Sequence, residues 1–222
     1  MFLLTSGANA QKPDFTNLEI SSGWNQAEQI AFDSIGRMFV VEREGRVWMV
    51  DTSGTKSSSP LIDISEEVGA WRDHGLNGFT LDPDFNNNGY IYLFYTVDRH
   101  HLLHYGTPSY NSATNEYYDA TIVRLTRHQA DTATKCTSLV PNSRTILIGE
   151  DIKTGVPLLY ESHSGGDLIF GTDGSLFVTT GDGASYTYVD SGGGSNYWNQ
   201  ALIDSIIRPE ENVGAFRAQM VN

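Results

Sequence analysis

The sequence predicts an all-β fold: a β-propeller, of which the chain holds about half, with long loops over its top. Three observations predict it. A strand–turn–strand unit recurs along the chain, one strand is bulky on both faces, and the composition favours short strands joined by many turns.

The recurring unit is clearest in two copies. Ile30-Ala31-Phe32-Asp33-Ser34-Ile35-Gly36-Arg37-Met38-Phe39-Val40-Val41 matches Leu168-Ile169-Phe170-Gly171-Thr172-Asp173-Gly174-Ser175-Leu176-Phe177-Val178-Thr179. Each reads as a strand, a tight turn ending in Gly, and a second strand. A looser third copy runs from Gly78 to Phe85, through Asn86-Asn87-Asn88-Gly89, into Tyr90-Ile91-Tyr92-Leu93-Phe94-Tyr95. There Gly89 supplies the positive-φ residue before the second strand. In that strand Tyr90, Tyr92 and Phe94 share one face and Ile91, Leu93 and Tyr95 the other, so both faces must be covered, as in a blade between two neighbours. Arg46-Val47-Trp48-Met49-Val50 reads as a further strand after the first hairpin. Two to three blades of roughly 40–50 residues fit the chain, whereas a closed propeller needs about four to eight. The expected organisation is an N-terminal segment over residues 1–18 and a partial propeller over 19–222. Residues 97–121 and 183–199 read as long loops, and 201–222 shows weak helical spacing.

In a chain of 222 residues with 22 Gly, 11 Tyr and 10 Phe, a hydrophobic content of 39% suits strands and turns better than long amphipathic helices. The formal charge of −13 argues against nucleic acid or an anionic membrane as partner, since both need a basic surface. A single cysteine, Cys136, rules out an internal disulfide framework and a thiolate metal cluster. The sequence holds no run of about 18 apolar residues, so no membrane span is expected. The opening ends in Ala8-Asn9-Ala10, the pattern of a signal-peptidase site, after an apolar stretch shorter than an export signal needs. A periplasmic or secreted location is the expectation.

Several constellations could carry chemistry. His100, His101 and His104 would bring His100 and His104 to one face on a helix. No Glu follows His100, however, and Gly106 and Pro108 favour a polar loop over the propeller top, so no metal is assigned here. Asp82, Asp84, Asn86 and Asn88 alternate like a calcium loop but lack its Gly and distal Glu, and read as turn residues bonding their own backbone. Gly181-Asp182-Gly183 is either a tight turn or a carboxylate aimed at a cation. Gly192-Gly193-Gly194 lacks the Lys and following helix of a phosphate loop.

Three segments carry a resemblance. Gly75-Leu76-Asn77-Gly78-Phe79, continuing through Pro83-Asp84-Phe85 to Gly89-Tyr90-Ile91-Tyr92, is one. His163-Ser164-Gly165-Gly166-Asp167-Leu168-Ile169-Phe170 through Asp173-Gly174 to Gly181-Asp182 is the second. The opening hairpin with Glu42-Arg43 and Gly45-Arg46-Val47 is the third. As a set they resemble the glucose/sorbosone dehydrogenases, soluble quinone-dependent sugar oxidases. The resemblance implies a six-bladed propeller that binds pyrroloquinoline quinone (PQQ) and calcium at its top and oxidises the C1 hydroxyl of an aldose to a lactone. It implies a small sugar substrate and an external electron acceptor as partners.

The same resemblance makes His163 the catalytic base, a role that suits an imidazole titrating near neutrality. Gly165 and Gly166 would leave room for a flat cofactor beside it. Asp73 and Ser162 are the expected cofactor-binding positions, and both depart from the family pattern: Asp73 stands where Gln or Glu is common, and Ser162 where Asp or Asn is common. The quinone-clamping side chains and most calcium ligands are expected downstream of this chain. Two alternatives are a non-catalytic carbohydrate- or protein-binding propeller, a use made of the scaffold by animal relatives, and a calcium-dependent propeller lactonase.

Overall fold

A computed structural model of the chain describes residues 16–116, 120–159, 161–181 and 183, and the backbone of 219–221. The N-terminal ten residues, Asp182, the triple glycine and residues 201–218 lie outside the described residues.

Three antiparallel sheets follow one another. The first holds β1 (Ala27–Phe32), β2 (Met38–Glu42), β3 (Arg46–Val50) and β4 (Ile62–Asp63) in sequential order. Its first turn forms because Asp33 Oδ1 accepts from the N–H groups of Ile35 (3.1 Å) and Arg37 (2.9 Å), while Gly36 takes φ +89°. The second sheet is built on β5 (Leu76–Leu81), β6 (Tyr90–Thr96), β7 (Thr121–Gln129) and β8 (Thr145–Ile148), with β9 (Val156–Leu158) also paired to β7. The third holds β10 (Leu168–Phe170), β11 (Leu176–Val178) and β12 (Gln219–Val221). Gly174 repeats the positive φ of Gly36, at +86°. The sheets are blades of a partial β-propeller, as the repeats predict.

Strand β6 is the centre of the packing. Ile91, Leu93 and Tyr95 join Phe39, Val41 and Val47 of the first blade in one core. Tyr92 and Phe94 point the other way, into a second core with Leu168, Leu176 and Val178 of the third blade. The alternation read from the sequence is therefore the alternation between two blade interfaces. The outer faces stay open: Ile30 and Phe32 on β1 and Ile169 on β10 are each more than half exposed.

A buried ion cluster ties the connector between the first two blades to the second. Glu67 accepts from the Tyr95 hydroxyl (2.7 Å), from Arg144 Nη2 (2.6 Å) and from Arg124 Nη1. Burial pushes the Glu67 carboxyl up, but the charges of Arg144 and Arg124 and the Tyr95 hydrogen bond more than reverse this and hold it below the usual carboxylate range.

Two local expectations are corrected. Residues 97–121 are not wholly loop: Arg99–His104 forms helix α2, capped by Asp98, whose carboxylate accepts from the His101 N–H at 3.2 Å. Gly106 and Pro108 come after the helix and do not prevent it. The helical spacing expected at the C-terminal end fails over Gln219–Val221, which pairs with β11 instead. In the third repeat, Phe85–Asn88 makes one helical turn, α1, ended by Gly89 at φ +72°. The Asp82 series is a turn, as expected: Asp82 Oδ1 accepts from Asp84 N and Asn88 Nδ2, and Asn88 Oδ1 from Tyr90 N.

Candidate functional site

In antiparallel blades, each link from the last strand of one blade to the first of the next emerges at the same end as the turn between second and third strands. The links carrying Asp73 and His163 are of this kind. The turn at Arg43–Gly45 and the connection carrying α2 share that end. The topology thus gathers Arg43, Asp73, His100, His104 and His163 at one end of the sheets.

His163 and Asp73 meet directly. The His163 N–H donates to Asp73 Oδ2 at 3.1 Å, and Ser164 Oγ donates to the Asp73 carbonyl at 2.6 Å. The Asp73 N–H donates to the Glu161 carbonyl at 3.4 Å. From the other side, the Gly183 N–H donates to the His163 carbonyl at 3.2 Å, and that of Gly181 to the Gly165 carbonyl at 2.6 Å. The short segment at His163 is held from both flanks.

That restraint sustains unusual backbone. His163 lies at φ +57° and Arg72 at φ +54°, in the left-handed region that L-residues avoid. Such strain persists where surrounding bonds over-determine it, and it concentrates at functional sites. His163, Asp73 and Arg72 are exposed, and the Arg72 guanidinium lies 5.5 Å from the centre of the Trp71 ring.

The glycines divide in their roles. A Cβ on Gly165 would meet nothing within 4 Å, so that side of the segment is open. Gly166 is a correction: a Cβ there would strike the Thr179 carbonyl oxygen and the Phe94 ring, so its glycine serves blade packing. Gly181 is required because a Cβ would collide with the His163 carbonyl oxygen. Ser162 is buried and does not share the exposure of His163 and Asp73.

A cavity of about 440 Å³ at the first blade interface is lined by Glu66, Glu67, His101, Tyr105, Arg124 and Arg144 among others, and does not include His163. Sequence reasoning missed Glu116, the packing role of Gly181 and the Glu67 cluster. For Gly181 the signal was its place in Gly181-Asp182-Gly183; for Glu116 and Glu67, whose partners lie 16 and up to 77 positions away, there was none.

Residues 24–192 match the family described as glucose/sorbosone dehydrogenase. The chain belongs to that family. Among curated relatives, the chain is 29% identical over 171 residues to the Hedgehog-interacting protein of Mus musculus, covering 74% of this chain and 22% of the relative. It is 26% identical over 177 residues to quinoprotein glucose dehydrogenase B of Acinetobacter calcoaceticus, covering 79% and 32%. Among solved structures, the PQQ-bound aldose sugar dehydrogenase of Streptomyces coelicolor superposes with a TM-score of 0.53 at 21% identity, over 78% of this chain and 43% of that one. That last likeness shows the fold. The chain thus spans between 22% and 43% of the length of these relatives.

Proposed function

We propose that the whole protein to which this chain belongs oxidises the C1 hydroxyl of an aldose or related sugar, with His163 as general base and PQQ as cofactor. The observation that carries this reading is the exposed His163, clamped in left-handed backbone by Asp73 and Gly183 within a chain of this family.

The chemistry follows from what these residues offer. A neutral imidazole on an exposed, rigid loop can accept the hydroxyl proton as the C1–H bond breaks, a contribution worth roughly 10²–10⁴-fold in rate. The backbone restraint fixes the direction from which the base approaches, so less ordering is left to the reaction itself. When bound, the quinone supplies the acceptor for the hydride leaving C1. The residues present fit one side of such a group: Gly165 leaves open space, and Arg72 beside Trp71 is an exposed cation for a carboxylate. Asp73 commits Oδ2 to the His163 amide, so its main part is to hold the base; Ser162 is buried. Calcium is assigned to no residue of this chain. An external electron acceptor, and a periplasmic or secreted location, complete the proposal.

The test is His163→Asn in the whole protein. Asn tolerates left-handed backbone, so the loop survives and the imidazole alone is lost. Dye-linked sugar oxidation should show kcat lower by roughly 10²–10⁴-fold, with quinone affinity little changed. An unchanged kcat overturns the assignment.

A second reading is favoured by the likeness to the Hedgehog-interacting protein: a propeller that recognises a partner without catalysis. It is distinguished by a whole protein that binds no quinone.

A further inference from the structure

The connection between β6 and β7 folds back on itself so that His100, His104 and Glu116 each place one donor atom within 4.8 Å of the others. The two histidines are one turn apart on α2, with ring centroids 4.7 Å apart. Glu116 returns to the helix because its N–H donates at 3.2 Å to Asp98 Oδ2, part of the same carboxylate that caps α2. One carboxylate therefore both starts the helix and anchors the residue that completes the cluster. Glu116 Oε1 lies 3.1 Å from His100 Nδ1, and its Oε2 lies 3.4 Å from Arg99 Nε.

Two imidazoles and one carboxylate are a borderline donor set that suits zinc, and also copper(II) and nickel(II), better than calcium or magnesium. We propose that His100, His104 and Glu116 form a divalent transition-metal site, best suited to Zn²⁺, that fastens the connection between β6 and β7. The fourth position of a tetrahedral ion would go to water, since His104 and Glu116 are only half-buried.

The existing hydrogen bonds say what binding displaces. Asn111 N–H donates to His100 Nε2 at 3.1 Å, so neutral His100 carries its proton on Nδ1, directed at Glu116. An ion at Nδ1 takes the place of that proton, which moves through solvent to Nε2, and the Asn111 amide turns to water. Asn111 belongs to an exposed stretch that can shift. Arg99 keeps its hold on the second oxygen of Glu116, in the way outer partners orient metal ligands. The site is separate from His163 and does not depend on the proposed sugar chemistry.

The test uses the purified, tag-free, metal-stripped chain with ZnCl₂ in calorimetric titration and thermal melts, and with Co²⁺ as a spectroscopic probe. The expected result is one saturable ion per chain with micromolar or tighter Kd, a raised Tm, and Co²⁺ visible bands. His104→Ala and the size-preserving His104→Gln should weaken Zn²⁺ by more than about tenfold, at least what loss of an outer-shell partner costs, while leaving the metal-free Tm unchanged. His163→Asn should bind Zn²⁺ as the parent does. Absence of saturable binding, or binding that both His104 variants retain in full, overturns the proposal.

Discussion

Asp73 holds His163 by its backbone: Asp73 Oδ2 accepts the His163 N–H at 3.1 Å although the two residues are 90 positions apart. The bond joins the connectors on either side of the second blade, so the presentation of the imidazole depends on how three blades stack. It also explains why an Asp serves here. The short carboxylate reaches the neighbouring main chain while its own carbonyl accepts from Ser164.

Replacing Asp73 should loosen that segment. Hydrogen exchange at the His163 amide is expected to quicken by roughly tenfold in Asp73→Ala, the equivalent of one modest hydrogen bond. Asp73→Asn, which keeps an acceptor oxygen, should lie near the parent. Equal exchange in all three proteins would show that the bond does not restrain the loop.

Gly181 and Gly165 make a matched pair. Gly181→Ala forces a Cβ into the His163 carbonyl oxygen, so the loop must shift; a loss of about 1–3 kcal/mol of stability is expected. Gly165→Ala meets open space and should cost less than about 0.5 kcal/mol. Urea unfolding of the two variants checks the difference.

The two faces of β6 should prove separately essential. Leu93 and Phe94 are both fully buried, in different cores. Each change to Ala should lower stability by about 2–5 kcal/mol, through lost burial and the cavity left behind. A strand with one solvent-facing side would make one of the two variants nearly neutral.

Acid should destabilise the fold, and the window can be named. Burial, with the Arg144 charge adding to it, pushes the buried His128 down to about 4 from 6.5. Between those values the unfolded chain binds a proton that the folded one resists, so stability falls as pH drops from 6.5 to 4, by about 3 kcal/mol. Glu67 acts lower down. Its depressed folded pKa contributes stability above its unfolded value, lost as pH falls through the folded one. Thermal melts across pH 4–7 should show this slope, and His128→Gln should flatten its upper part. A flat profile in the parent would contradict it.

What the sequence determined by itself was local. The hairpins at Asp33–Gly36 and Asp173–Gly174, and the two-faced strand of Tyr90 to Tyr95, were legible because side-chain alternation and the need for positive φ at turn glycines are written within a dozen residues. His163 was singled out through a motif of similar length. The tertiary structure decided what lies between distant segments: that Asp73 grips the backbone at His163, that Gly166 serves Phe94, that Glu67 gathers Arg124 and Arg144, and that Glu116 comes back to His100 and His104. None of these leaves a local pattern, because each arises from blades stacking and connectors meeting at one end of the sheets. Helix α2 fell between the two cases. The His100 and His104 spacing was visible, but the capping of the helix by Asp98 and the return of Glu116 onto that same carboxylate were set only by the fold of the whole connection.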